Sequence, residues 1–249
     1  MTESDHQLAA RVATEAGELL VSLRSEMFAR HAHSWDVMDA GDAEAHRFLL
    51  EALTQARPND IVLSEEGRDD PARLTHDRVW IIDPLDGTNE YGERGRPDWA
   101  VHVALVSGGL PIAGAVALPA LNITAATDPA PILPARPDRP LRVLTSRMRA
   151  TYATARVAHA LGADICPLGS AGAKAMAVVF GEADVYAHTG GQYEWDNCAP
   201  AAVAAAAGLH VSRVDGSAMV FNKRDVWSPD VLICRPELAE ACLAALALR

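Results

Sequence analysis

Positive charge is scarce in this chain. Its 249 residues carry 22 lysines and arginines against 33 aspartates and glutamates, a formal net charge of −11. Such a surface repels nucleic acid backbones and anionic membranes, which excludes nonspecific binding to either. Long apolar runs are missing too. No stretch of about 18 or more apolar residues occurs, so no membrane span is expected. The N-terminus, Met-Thr-Glu-Ser-Asp-His-Gln, lacks a basic segment followed by an apolar core, so no secretory signal is expected there. Cys166, Cys198, Cys234 and Cys242 show neither C-x-x-C spacing nor a disulfide framework. Reduced thiols in a cytoplasmic protein are the default expectation. Without a secretory route the Asn122-Ile123-Thr124 sequon has no consequence.

What remains is an ordinary globular composition, 49% hydrophobic and 22% charged, long enough for one large domain or two small lobes. Its densest chemistry lies in Trp80-Ile81-Ile82-Asp83-Pro84-Leu85-Asp86-Gly87-Thr88-Asn89-Glu90-Tyr91. An apolar strand ends abruptly in a carboxylate, and Pro84 and Gly87 then force a tight turn. Two carboxylates three positions apart, with a hydroxyl two further on, are the oxygen donors that a hard cation such as Mg²⁺ prefers. The N–H groups near Gly87 and Thr88 are placed to face an anion. The plainer alternative is that Asp83 and Asp86 only form turns.

Upstream, apolar residues from Asp5 to Arg30 form one helical stripe. His31 and His33 lack a third ligand and read as polar surface. A helix is expected from Ala43 to about Ala56, with Asp39 and Asp42 as possible caps. Ile61-Val62-Leu63 is a short strand ending in Ser64-Glu65-Glu66. Its acids mirror Asp83, so two adjacent parallel strands would deliver carboxylates at their C-terminal ends. Arg68 to His76 is an acidic loop.

Downstream, Trp99–Val106, Ile112–Leu118 and Ile123–Thr127 are expected strands of a sheet covered on both faces. Six of the 15 prolines fall between Pro119 and Pro140, the best boundary between lobes. Residues 1–128 are assigned to an N-terminal lobe, 129–140 to the connection and 141–249 to a C-terminal α/β lobe. In the latter, Gly169-Ser170-Ala171-Gly172-Ala173-Lys174 opens a helix and is no Walker loop. It is either a packed helix start or an anion site with Lys174 adding charge. Pro200 belongs in a first turn, so the next helix is expected near Trp195 to Cys198, with Asp196 at its N-terminus. Asn222-Lys223-Arg224 is a basic island that would either touch a phosphate or form a loop.

W-I-I-D-P-L-D-G-T resembles the metal-binding signature of the inositol monophosphatase superfamily, the Mg²⁺-dependent, Li⁺-sensitive phosphomonoesterases. Trp195-Asp196 followed by small residues resembles the second signature of that family, about a hundred residues on and in the same order. Glu194-Trp195-Asp196 and the Gly169-Ser170 element with Lys174 look like its 3′-phosphoadenosine 5′-phosphate phosphatase branch, the CysQ type. Asp42 takes the place of a family aspartate 23 residues before Glu65 (65 minus 42). Asp39, however, stands where the family has threonine, and the upstream lysine is missing.

The resemblance implies a layered αβαβα sugar-phosphatase sandwich of two lobes, and a homodimer. Metal ligands would be Glu65, Asp83, the Leu85 carbonyl, Asp86 and Asp196, holding two or three Mg²⁺. Glu65 and Thr88 would position the attacking water and Asp42 would tune them. Gly87, Thr88, Gly169, Ser170, Lys174 and Glu194 would contact substrate, while Asn89 has no role. The implied reaction removes the 3′-phosphate of 3′-phosphoadenosine 5′-phosphate or its sulfated form, within sulfur assimilation. Inositol or fructose bisphosphate phosphatase activity is the alternative, since the metal ligands do not distinguish these. A non-catalytic cation or nucleotide sensor is the remaining class.

Overall fold

The computed structural model describes residues 3–148 and 150–247. The first part holds α1 (Asp5–Ala29), α2 (Ser34–Ala56), β1 (Ile61–Ser64), β2 (Val79–Asp86), α3 (Thr88–Gly92), β3 (Ala100–Ser107), β4 (Leu110–Leu118) and β5 (Ile123–Ala126). There follow β6 (Arg142–Ser146), α4 (Tyr152–Leu161), β7 (Asp164–Leu168), α5 (Ala171–Val179), β8 (Val185–His188), β9 (Gln192–Tyr193) and α6 (Glu194–Ala206). The chain ends with β10 (His210–Ser212), β11 (Trp227–Ser228), β12 (Val231–Cys234) and α7 (Ala239–Ala247).

Two five-stranded sheets, ordered β1-β2-β3-β4-β5 and β10-β12-β8-β6-β7, stack with helices on every face. Helices α1 and α2 cover the outer face of the first sheet, α5 and α6 fill the space between the sheets, and α4 and α7 cover the second. This is the expected αβαβα sandwich. Residues 129–140 contain no helix or strand and cross from one sheet to the other, and on that crossing the two-lobe division is proposed. Its outermost residues, Met1, Thr2, Leu248 and Arg249, lie outside the described ones.

The layers follow from local chemistry. Ser4 caps α1 through a reciprocal bond with Gln7, and Leu8, Val12, Ala16 and Leu20 bury one stripe. On β2, Val79 and Ile81 face α5 and α6, while Trp80 and Ile82 face α1 and α2. Such period-two alternation lets one strand feed both cores. Each fully buried residue of this size contributes about 1.5–3 kcal/mol.

Two expectations need correction. Helix α2 begins at Ser34 instead of Ala43, so Asp39 and Asp42 lie inside it and cap nothing. Its buried stripe, Val37, Gly41, Ala45, Leu49 and Leu53, runs back through a glycine that no hydrophobic pattern reveals. Gly41 is required there, because a Cβ would come within 2.6 Å of the Tyr91 ring. Helix α6 starts at Glu194, and Pro200 sits as its seventh residue instead of in the first turn. Pro200 cannot donate to the Asp196 carbonyl four residues back. Burial along α6, from Asn197 to Ala204 without a break, offsets that loss.

Candidate metal centre and its pocket

Strands β1 and β2 pair in parallel, with Ser64 opposite Ile82, so Glu65 and Asp83 emerge side by side. In an uninterrupted strand Asp83 and Asp86, three apart, would point to opposite faces. They do not, because the β2–β3 register shifts between them: Asp83 pairs with His102 but Asp86 with Ala100. One extra residue in the Pro84–Leu85 segment forms a bulge and returns Asp86 to the side of Asp83. Asp196, in the first turn of α6, completes the cluster. One carboxylate oxygen from each of Asp83, Asp86 and Asp196 lies within 4.8 Å of the others, the only such grouping among the described residues. His31 and His33 join no cluster.

The carboxyl groups are crowded and buried, and their ionisation reflects it. Burial, then the Asp196 charge, pushes Glu65 up to about 7. Burial, then the Asp86 charge, pushes Asp196 up to about 6. Asp83 is buried beside Glu65 and is held well above the usual carboxylate range. Asp86 behaves oppositely. Burial opposes its charge, but His102, Lys174 and the Ser170 hydroxyl together hold it below that range.

The support around Asp86 is dense. Gly172 donates its N–H to Asp86 Oδ2 at 2.7 Å, the Ser170 hydroxyl donates to the same oxygen, and His102 Nε2 lies 3.2 Å away. His102 Nδ1 donates to the Trp195 carbonyl at 3.0 Å, tying β3 to the start of α6. His102 was not legible in the sequence: a histidine within an apolar strand gives no signal.

Around the turn, Gly87 adopts φ +88°, a conformation that favours glycine. The Leu85 N–H donates to Asp83 Oδ1 at 3.1 Å. The Thr88 hydroxyl lies 3.1 Å from the Leu85 carbonyl and 3.4 Å from Asp42 Oδ1. Burial, then the Glu66 charge, pushes Asp42 up to about 7.

These groups open onto a cavity of about 350 Å³ lined by Glu65, Asp83, Leu85, Asp86, Gly87, Thr88, Asn89 and Asp196 on one part of its wall. Gly169, Ser170, Lys174, Tyr186, Tyr193 and Trp227 line another. The 169–170 turn is pinned by buried Asp98, which accepts the Gly169 N–H at 2.6 Å. Lys174 is buried and donates to the carbonyls of Gly169 and Ser170. Burial lowers its pKa, and Asp86 opposes that shift.

Glu194 lies apart from the cavity-lining residues. It is fully buried, and its carboxylate accepts the N–H groups of Asn222 at 2.6 Å and Lys223 at 3.0 Å. The basic island is thereby a fastened loop, with Lys223 Nζ donating to the Trp227 carbonyl at 2.7 Å.

The donor set fits a hard divalent cation. Every candidate ligand is oxygen, and the upward shifts of Glu65, Asp83 and Asp196 reflect burial first and then mutual repulsion, both of which a cation would offset.

The sequence profile of the inositol monophosphatase family matches residues 2–129 and 137–248. A 3′-phosphoadenosine 5′-phosphate phosphatase of Mycobacterium bovis is 47% identical over 241 residues, covering 94% of this chain and 90% of the relative. The 3′(2′),5′-bisphosphate nucleotidase CysQ of Escherichia coli K12 is 33% identical, covering 75% and 80%. Among solved structures, CysQ from Bacteroides thetaiotaomicron superposes with a TM-score of 0.79 at 26% identity, covering 94% of this chain and 97% of that one.

Proposed function

The chain belongs to the inositol monophosphatase family, and on that footing we propose that it is a metal-dependent phosphomonoesterase acting on 3′-phosphoadenosine 5′-phosphate. It removes the 3′-phosphate to give AMP and inorganic phosphate, and acts likewise on the sulfated form. The observation that carries the chemistry is the convergence of Asp83, Asp86 and Asp196 within 4.8 Å beside the Thr88–Asp42 pair. The nucleotide preference draws on the likeness to relatives named for that substrate.

Glu65, Asp83, the Leu85 carbonyl, Asp86 and Asp196 would hold two or three Mg²⁺. When bound, the ions supply charge neutralisation at the phosphate and a more acidic water. The remaining work falls to the chain itself. Thr88 has one hydroxyl proton and two acceptors, Leu85 O and Asp42 Oδ1, so its oxygen is fixed and can orient an attacking water. Glu65 accepts the water proton, and Asp42, bonded to the Thr88 hydroxyl, tunes that pair. The water oxygen bonds to phosphorus, the bond from phosphorus to the 3′-oxygen breaks, and that oxygen takes a proton from solvent water as it leaves. The N–H groups of Gly87 and Thr88 bind phosphate oxygens. Li⁺ inhibition and a homodimer are proposed alongside.

Lys174 balances the acidic cluster and, with Ser170, holds the 169–170 turn against Asp86; from there it presents charge to the substrate. Glu194 acts on substrate through the loop it fastens. Phosphate release from the bisphosphate nucleotide, measured against inositol and fructose phosphates, tests the assignment.

A further inference from the structure

The same cavity contains an aromatic surface that the phosphate chemistry leaves unused. Trp227 and Tyr193 both line it and are 42% and 43% exposed, whereas Trp80 and Trp99 are completely buried. Their rings meet edge to face, with centroids 5.5 Å apart and an angle of 81°. Tyr193 is itself stacked on Trp195, centroids 4.9 Å apart and 15° from parallel.

We propose that the open face of the Trp227 indole is a stacking platform for the purine base of the substrate, with Tyr193 as its side wall. This rests on the nucleotide reading above and names the residues that would enforce it. The benzo edge of the indole packs closely on Gly191. A Cβ at Gly191, which has φ +78°, would lie 1.9 Å from Trp227 Cζ2, so the ring occupies the space that glycine leaves.

The platform is set before any ligand arrives. Trp227 pairs with Tyr193, and Ser228 with Gln192, in the β9–β11 ribbon. The Trp227 carbonyl accepts Lys223 Nζ at 2.7 Å, its N–H donates to Asp225 Oδ1 at 3.0 Å, and Glu194 anchors the preceding loop. A preformed surface costs little ordering on binding. It is also linked directly to the acidic cluster, because the Tyr193 N–H donates to Asp196 Oδ2 at 2.7 Å. The acidic cluster and the aromatic pair thus line one cavity, which a ligand carrying both a phosphate and a flat base would share. Inositol and fructose phosphates have no flat π-face to offer, so the platform discriminates by what they lack.

Binding of AMP and of ribose 5-phosphate to the full chain in Mg²⁺, by calorimetry, tests this without requiring turnover. The wild-type chain should bind AMP about 10- to 100-fold more tightly than ribose 5-phosphate. Trp227→Ala should collapse that ratio towards one, and Trp227→Phe should retain most of it. Gly191→Ala, which displaces the indole while keeping it, should also collapse the ratio. Equal affinity for the two ligands in the wild type, or an AMP preference that survives both Trp227→Ala and Gly191→Ala, would overturn the platform. Absence of hydrolysis of the bisphosphate nucleotide would instead strike the proposed function, since the binding ratio is read independently.

Discussion

His102 Nε2 stands 3.2 Å from Asp86 Oδ2, and the opposite ring nitrogen of His102 donates to the Trp195 carbonyl. One imidazole thus joins the central strand, the bulged aspartate and the helix that carries Asp196. Groups that orient a metal ligand typically change metal affinity or activity 10- to 100-fold when removed. His102→Ala is therefore expected to raise the Mg²⁺ concentration for half-maximal activity about tenfold or more. Gly172→Ala should act in the same direction, because its Cβ would lie 2.1 Å from His102 Nε2. Mg²⁺ titration of phosphate release reads both; unchanged midpoints would remove His102 from the site.

Asp83 is expensive to bury as a carboxylate, since burial and then the charges of Glu65, Asp86 and Asp196 oppose its ionisation. Asn at that position copies the neutral form without the proton. Asp83→Asn should raise the thermal midpoint in EDTA while lowering Mg²⁺-dependent turnover by at least about a hundredfold. A drop in both would show that the carboxylate is needed for folding.

The pH dependence follows from the raised carboxyl groups. Glu65 at about 7 and Asp196 at about 6 lie above their unfolded values. Between about pH 4 and 7 the metal-free native state therefore binds more protons than the unfolded chain. Their contribution destabilises the metal-free fold increasingly as pH rises through that window, and Mg²⁺ binds the deprotonated form. The Mg²⁺-induced rise in thermal midpoint should be larger at pH 8 than at pH 6. A shift independent of pH would contradict the assignment of these groups as ligands.

Thr88 presents its hydroxyl to Leu85 O and Asp42 Oδ1. Thr88→Ala should lower kcat about 10²-fold with little effect on KM, and Thr88→Ser should recover most of the rate. Equal loss in both variants would point to packing by the methyl group.

Glu194 receives two N–H bonds at zero exposure. Glu194→Ala leaves those donors unpaired and should destabilise the chain by about 1–3 kcal/mol, seen in urea unfolding. The Mg²⁺ midpoint should stay where it was.

The sequence revealed the site unevenly, for physical reasons. Asp83, Asp86 and Thr88 were legible because one short segment holds a strand end and a turn, and the parallel β1–β2 pair places Glu65 beside it. The bulge that turns Asp83 and Asp86 to one side was not, since it is a property of pairing with β3. His102 hides in an apolar strand, and its importance arises only from what lies across it. Glu194 stands next to Trp195-Asp196, yet helix geometry directs it to the 222–224 loop and away from the cavity. The early start of α2 was invisible because Gly41, which fits against Tyr91, carries no hydrophobic signal. Layer order was easier, because strands apolar on both faces and the strand–helix alternation after residue 141 leave few ways to cover each face.

Phosphate release from 3′-phosphoadenosine 5′-phosphate, inositol 1-phosphate and fructose 1,6-bisphosphate, each with Mg²⁺, with added Li⁺ and with EDTA, is the most direct measurement. Fast release from the nucleotide alone, abolished by EDTA and suppressed by Li⁺, is the expected result. Comparable rates on the sugar phosphates would contradict the nucleotide assignment, and release that persists in EDTA would contradict the metal centre itself.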